Sequence, residues 1–241
     1  MSVKAKYIIP ELSVFFPCHN EEKNIENTVN KAVLVLNKIT PKWQIVLVND
    51  GSTDKTLEKA KILAKKHGNK LKIINHLKNK GYGGAFKAGL YNSKYDWITF
   101  TDSDGQFDFS DIKKLIKKQK ETNYQVILGY RAKRRDSYTR ILIANLLKIW
   151  NFIWFGFYGV KDVDCAFKLF NKKVIDQVGK LKTDSAITST ELLIKIKKLG
   201  FKWAQVPIGH YPRLHGSSSG SDFKVMKKAA IDSINLWKAL H

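Results

Sequence analysis

Short apolar runs that stop at polar clusters, each followed by a stretch with helical spacing, recur through the first half of this chain. LSVFFP (12–17), WQIVLVND (43–50), LKIINHL (71–77), DWITFTDSDG (96–105) and YQVILGYR (124–131) are the runs. Between the first four lie NEEKNIENTVNKAVLVLNK, STDKTLEKAKILAKKHG and GYGGAFKAGLYNS, read as helices; the second opens on a capping residue and closes on Gly68. Such alternation predicts an α/β fold: a mostly parallel sheet, joined by right-handed crossovers and flanked by helices on both faces. In open sheets of this kind ligands sit beyond the carboxyl ends of the strands. Pro17-Cys18-His19-Asn20-Glu21, Asn49-Asp50-Gly51-Ser52 and Asp102-Ser103-Asp104 all fall at such ends. Three polar clusters are therefore expected at one site.

Beyond Arg131 the character changes. RAKRRDSYTR is strongly basic, and an apolar run from Ile141 to Val160 follows it. Next come DVDCAFKLF, a helix through Glu191 to Gly200, the short strand WAQVPIGHYPR and a serine-glycine loop, HGSSSGSD. A final amphipathic helix ends the chain, giving one domain over 1–220 and a helix over 221–241. Glu11 interrupts the N-terminal apolar stretch, which argues against a signal peptide. The run 141–160 approaches the roughly 20 residues of a membrane span. Asn145, Lys148 and Asn151 break it, which argues against a simple span.

Composition narrows the function classes. With 44% hydrophobic residues the chain can bury a core, which excludes wholesale disorder. Lys and Arg number 43 against 21 Asp and Glu, so a net charge of +22 predicts an anionic partner. A nucleic acid would satisfy that charge, but no helix-turn-helix, zinc-finger or RNA-binding aromatic signature is present. Cys18 and Cys165 are too few for a disulfide framework, so a reducing compartment is expected.

Asp102-Ser103-Asp104-Gly105-Gln106 is the sharpest feature. Two carboxylates at a strand end can turn toward one divalent ion, and oxygen ligands suit Mg²⁺ or Mn²⁺ bridging a diphosphate. Gln106 adds a neutral oxygen. An isolated D-x-D is more often a solvated acidic turn; its position beside two other clusters favours the ion. Asp50 can accept hydrogen bonds from a nucleobase, while Ser52 or Thr53 caps the following helix. Glu21 is a candidate for base or ribose contacts, and Glu22 for the first turn of a helix. Cys18 reads as a small buried residue rather than a nucleophile. Lys80-Gly81-Tyr82-Gly83-Gly84 fits neither phosphate-loop spacing, so its glycines are expected to let a helix pack closely, with Asn79 or Lys80 near the ligand.

In these motifs the chain resembles the family 2 glycosyltransferases with a GT-A fold, and within them the polyprenyl-phosphate branch. FPCHNEE, VNDGSTD, NKGYGGAFKAG, TDSDGQFD, GYR, DVDCAFKLF and HYPRLHGSSS occur in that family's order over roughly 12–220. The resemblance implies that Pro17, His19, Glu21 and Asp50 hold the nucleotide. It places Asp102 and Ser103 by the ribose and diphosphate, and Asp104 and Gln106 on Mg²⁺ or Mn²⁺. Arg131 and Arg213 correspond to basic residues near the donor diphosphate or acceptor phosphate, and Asp162 to the aspartate opening a D-x-x-C/S-G-F-K segment. Ala166 stands where that segment usually has glycine, and Ser219 where many relatives have lysine.

The implied reaction is an inverting transfer from a GDP- or UDP-linked sugar to a polyprenyl phosphate. A phosphomonoester with a second pKa near about 6 is already an anionic nucleophile, so Asp162 is either a base or a group orienting Lys168 or Arg131. Extension of a saccharide hydroxyl would need a base, and is the alternative activity. With Arg140, Asn145, Lys148 and Asn151 on one arc, 137–160 reads as an amphipathic helix lying in a bilayer interface, displaying Trp150 and Trp154. Phe223, Met226, Ala230, Ile234, Trp237 and Leu240 form a second apolar stripe. Together they predict a peripheral protein on the cytoplasmic face of a membrane, alone or with a separate membrane protein.

Overall fold

The computed structural model describes residues 8–132, 149–150, 153–156, 159–213, 215–216 and 223–240. The strands are β1 (Glu11–Cys18), β2 (Lys42–Asp50), β3 (Leu71–His76), β4 (Trp97–Phe100), β5 (Val126–Arg131), β6 (Lys168–Asn171) and β7 (Trp203–Ile208). They form one 7-stranded sheet in the order β3-β2-β1-β4-β6-β5-β7. β1 pairs in parallel with β2 and β4, β2 with β3, and β5 with β7. β6 alone runs antiparallel, between β4 and β5.

Helices cover both faces because the strands are apolar on both. Leu12, Val14 and Phe16 of β1 face one core with α1 (Ile25–Ile39), α2 (Thr56–His67) and α4 (Ile112–Thr122). Phe15 points the other way, into a second core with α3 (Gly81–Tyr91), α5 (Lys172–Val178) and α6 (Thr188–Lys198). There Phe15 stacks on Phe100 at 4.9 Å, and Phe86 meets both rings edge-on. A Cβ on Gly89 would lie 2.3 Å from the Phe15 ring, so glycine there allows α3 to close on the sheet. The expectation of closely packed glycines holds, although Gly83 packs against Asp184 and Thr188.

Three differences from the sequence reading have physical causes. β4 stops at Phe100, because Thr101–Gly105 leaves the sheet as a loop. β6 is only four residues long, with no alternation to betray it, and it enters the sheet through its neighbours' register. Neither Ser52 nor Thr53 caps α2: no side chain bonds at its N-cap, Lys55, and just ahead of the helix Asp54 accepts from Thr56 N–H at 2.9 Å. Ser52 instead accepts from Asn20 N–H at 3.0 Å, and Glu22 accepts from Lys55 N–H at 3.0 Å, lacing the loops after β1 and β2 together.

The C-terminal helix α7 (Phe223–Leu240) packs through Ala229, Ser233 and Leu236, one position off the apolar stripe read from sequence. The small side chain at 233 lets a tryptophan reach the helix. Trp150 donates to Ser233 at 2.7 Å and stacks on Trp154 at 5.1 Å, which meets Trp237 edge-on at 5.1 Å. Ile234 is correspondingly exposed. Phe223, Met226 and Leu240 lie outside the described side chains, as does most of the expected interface helix; 149–150 and 153–155 are helical.

Candidate active site

The carboxyl ends of β1, β2, β4 and β5 share one edge of the sheet. Because β6 is reversed, the segment entering it, 162–167, reaches the same edge. Pro17, His19, Glu21, Asp50, Asp102, Ser103, Asp104, Gln106, Arg131, Asp162 and Arg213 lie on the strand ends and loops of this edge.

At the β2 end, Asp50 is 3% exposed. Its Oδ1 accepts from His76 Nδ1 at 2.7 Å and from Lys80 N–H at 3.0 Å. Gly51 makes the second bond possible: its φ is 65°, and a Cβ would meet Asn79 N at 2.4 Å. His19 donates from Nδ1 to the Asp50 carbonyl at 2.9 Å, and Asn79 donates to His19 Nε2 at 3.2 Å. Asn79 and Lys80 thus stand beside His19 and Asp50.

The loop after β4 carries the acidic pair. Ser103 is buried and donates to the Pro17 carbonyl at 2.8 Å, so its hydroxyl proton is spent within the protein. Asp104 Oδ1 accepts from Gln106 N–H at 3.0 Å. Gln106 also donates through Nε2 to the Tyr211 carbonyl at 3.2 Å, and its own carbonyl accepts from Tyr211 N–H at 2.9 Å. That reciprocal pairing brings Arg213 into the site. One guanidinium nitrogen lies 3.3 Å from Asp104 Oδ2 and the other pairs with Glu21 Oε1. Burial raises the Glu21 pKa, against the opposing effects of Asn24 and Arg213.

Among the described residues no three His, Cys, Asp or Glu side chains form a metal cage. The donors present still suit a hard divalent ion, which commonly takes one or two carboxylates and completes its shell with water and phosphate. Asp104 already has a cationic partner in Arg213, so the position stabilises positive charge. Asp104 and the Gln106 side-chain oxygen fit Mg²⁺ or Mn²⁺.

On the far side, Arg131 at the end of β5 makes a two-pronged pair with Asp162, Nε to Oδ2 at 2.7 Å and Nη2 to Oδ1 at 2.8 Å. Burial alone would lower the Arg131 pKa; the Asp162 hydrogen bonds and charge outweigh it and raise it. Lys168, also considered as the Asp162 partner, is 1% exposed and donates to the carbonyls of Val163 and Cys165. It holds the 162–167 turn from beneath. Ala166 is absent from the positive-φ residues, so its Cβ imposes no strain there. Burial pushes the Cys18 thiol up to about 12 and the Cys165 thiol to about 11, so both are inert. Ser219 lies outside the described residues.

Three contributors escaped the sequence reading. His76 comes beside Asp50 through the β2–β3 register, which pairs the two positions. Tyr82 hydrogen-bonds Ser189, and burial, then the Asp102 charge, holds its phenol well above the ordinary pKa. Glu191 is fully buried and accepts from the backbone N–H of Lys182 and Thr183, each at 2.8 Å. It fixes the 182–188 loop, whose Asp184 carbonyl takes the Gly83 N–H at the start of α3.

Comparison with known proteins agrees with this fold. The dolichyl-phosphate beta-glucosyltransferase of Saccharomyces cerevisiae is 32% identical over 252 residues, covering 95% of this chain and 72% of that protein. A Trichomonas vaginalis dolichyl-phosphate beta-glucosyltransferase is 29% identical over 240 residues, covering 93% and 72%. Glucosyl-3-phosphoglycerate synthase of Mycobacterium tuberculosis, crystallised with Mn²⁺, UDP and glucosyl-3-phosphoglycerate, shares the fold at a TM-score of 0.72 and 18% identity, covering 95% and 80%. The motif resemblance to the polyprenyl-phosphate branch is matched by the names of these sequence relatives. The profile "Glycosyl transferase family 2" matches residues 13–179, and with it the sheet order and the strand-end site come to one conclusion: this chain belongs to glycosyl transferase family 2.

Proposed function

We propose that this protein transfers a sugar, with inversion, from a nucleotide-sugar to a polyprenyl phosphate at a membrane surface. One observation carries the choice of acceptor: both oxygens of Asp162 are committed to Arg131. A carboxylate so held is a poor general base; its part is to orient the arginine. An acceptor that arrives as a phosphate needs positioning and charge neutralisation, not deprotonation. The sequence relatives named above act on dolichyl phosphate by name, which supports the same reading.

In this scheme Asp50, His19 and Glu21 receive the nucleoside, and Arg213 and Arg131 stabilise negative charge as the nucleoside diphosphate departs. Asp104 and Gln106 would hold Mg²⁺ or Mn²⁺, which supplies further neutralisation of the diphosphate when bound. An acceptor phosphate oxygen forms the bond to the anomeric carbon while the bond to the diphosphate oxygen breaks, its electron pair leaving with the diphosphate. Asp162 is the orienting group for Arg131 rather than a base.

The membrane reading rests on exposed apolar side chains beside basic ones. Ile149, Ile153, Ile231 and Ile234 are exposed at 56%, 69%, 48% and 39%, and Lys227, Lys228 and Lys238 are exposed on α7. Apolar contact combined with basic charge holds proteins at anionic surfaces. Among the described residues no helix is long and apolar enough to cross a membrane. The cytoplasmic leaflet is the proposed location.

The test is a transfer assay crossing GDP- and UDP-linked sugars with polyprenyl phosphate and oligosaccharide acceptors in Mn²⁺. Product on the lipid phosphate alone is expected. Product on the oligosaccharide alone would transfer the proposal to the hydroxyl-extending alternative.

A further inference from the structure

We infer that His76 is a positioning residue that makes Asp50 a reader of the nucleobase, favouring bases with a ring N–H. The inference rests on the proposed nucleotide-sugar donor and extends it to base selection.

Asp50 ends β2 and His76 ends the neighbouring β3, at paired register positions. Both are buried, with side chains 4% and 8% exposed. A carboxylate only accepts hydrogen bonds, so the 2.7 Å contact requires a proton on His76 Nδ1. The Lys80 N–H reaches the same oxygen, at 3.0 Å. Two donors therefore converge on Oδ1, while Oδ2 has no hydrogen-bond partner among the described residues. With one oxygen anchored, the carboxylate plane is fixed and Oδ2 becomes an acceptor of set direction. The backbone carbonyl of Asp50 is held as well, by His19.

Such an acceptor discriminates by proton inventory. Uracil carries N3–H and guanine N1–H, each able to donate to Oδ2. Cytosine has a lone pair at N3, which the carboxylate would repel. Sites built around a buried polar group reject ligands that leave it unpaired. His76 touches no ligand itself. Its contribution is directional, and without it Asp50 loses the stronger of two restraints on rotation.

Calorimetric titration of UDP, GDP and CDP, in Mn²⁺, against wild type and three variants tests this. His76→Asn keeps an N–H near the Nδ1 position, His76→Gln moves it away, and His76→Phe removes it. Wild type should bind UDP or GDP well above CDP. His76→Phe and His76→Gln should lose about ten- to a hundredfold for that nucleotide, about 1.4 kcal/mol per factor of ten, with CDP unchanged. His76→Asn should recover most of the affinity. In turnover the loss should fall on the donor KM, with kcat at saturation kept. If His76→Phe does not fold, the Asn and Gln pair decides alone. Equal losses for all three nucleotides, or equal behaviour of Asn and Gln, would overturn the inference and leave the donor reading standing. A wild type that binds none of the three would instead remove the donor reading.

Discussion

Arg213 bridges Glu21 and Asp104, two carboxylates from different strand ends, with one guanidinium nitrogen 3.3 Å from Asp104 Oδ2. The cation thus occupies the acidic side of the site before any ligand arrives. Arg213→Ala should bind Mn²⁺ about tenfold more tightly than wild type without nucleotide, yet hold the nucleotide diphosphate more weakly by about 1.5–3 kcal/mol. Titration of Mn²⁺ by electron paramagnetic resonance, with and without UDP or GDP, reads both. Tighter Mn²⁺ with unchanged nucleotide affinity would confine Arg213 to charge compensation.

Asp104→Ala should abolish turnover and also the rise in melting temperature that Mn²⁺ with nucleotide gives the wild type. The second readout does not depend on catalysis. A variant still stabilised by Mn²⁺ would place the ion elsewhere.

For Arg131 and Asp162, the paired geometry predicts strong non-additivity. Arg131→Ala and Asp162→Asn should each lower kcat/KM, and the double variant should be little worse than Arg131→Ala alone. An Asp162→Asn loss that adds fully to that of Arg131→Ala, with a basic limb disappearing from the pH profile, would mark Asp162 as a proton acceptor.

Glu191 lends itself to a stability measurement. Burial would raise its pKa, but hydrogen bonds from Thr183 and Lys182, then Lys195, outweigh that and lower it from 4.5. A carboxyl lowered on folding contributes stability above its unfolded pKa and loses it as pH falls through the folded value. Glu191→Gln should therefore be less stable than wild type near neutrality, by about 1.5–3 kcal/mol. The gap should shrink progressively below pH 4.5. Denaturant titrations at pH 7 and at pH 3 give the comparison.

Liposome flotation examines the membrane face. Because Trp150 and Trp154 are engaged with α7, glutamate there would undo packing as well as lipid contact. Ile153→Glu with Ile231→Glu is the cleaner pair, since both side chains are largely exposed. Wild type should float with anionic vesicles, less at high salt, and the variant should stay behind with an unchanged melting temperature.

The strand-end clusters were legible because each is written in consecutive residues: a run such as Val46–Asp50 announces both the strand and what it delivers. Contacts made by sheet register were not. His76 looks like any residue ending a strand until β2 and β3 are aligned, and Glu191 reads as one more charge on a helix whose first turn is in fact buried. β6 failed for lack of length. The offset on α7 has a different origin: sequence patterns weigh large apolar side chains, whereas its buried face includes the small Ala229 and Ser233, the latter bonded to Trp150.

The reciprocal bonds between Gln106 and Tyr211 join the acidic loop after β4 to the segment carrying Arg213. Anything that orders one strand of that join must order the other. Ion capture and anion capture are then entries in one thermodynamic cycle, and each changes the affinity for the other by the same factor. Gln106→Ala would cut the side-chain half of the join and keep the backbone half, from Tyr211 N–H to the carbonyl of residue 106, so the two captures would stay coupled through a single bond.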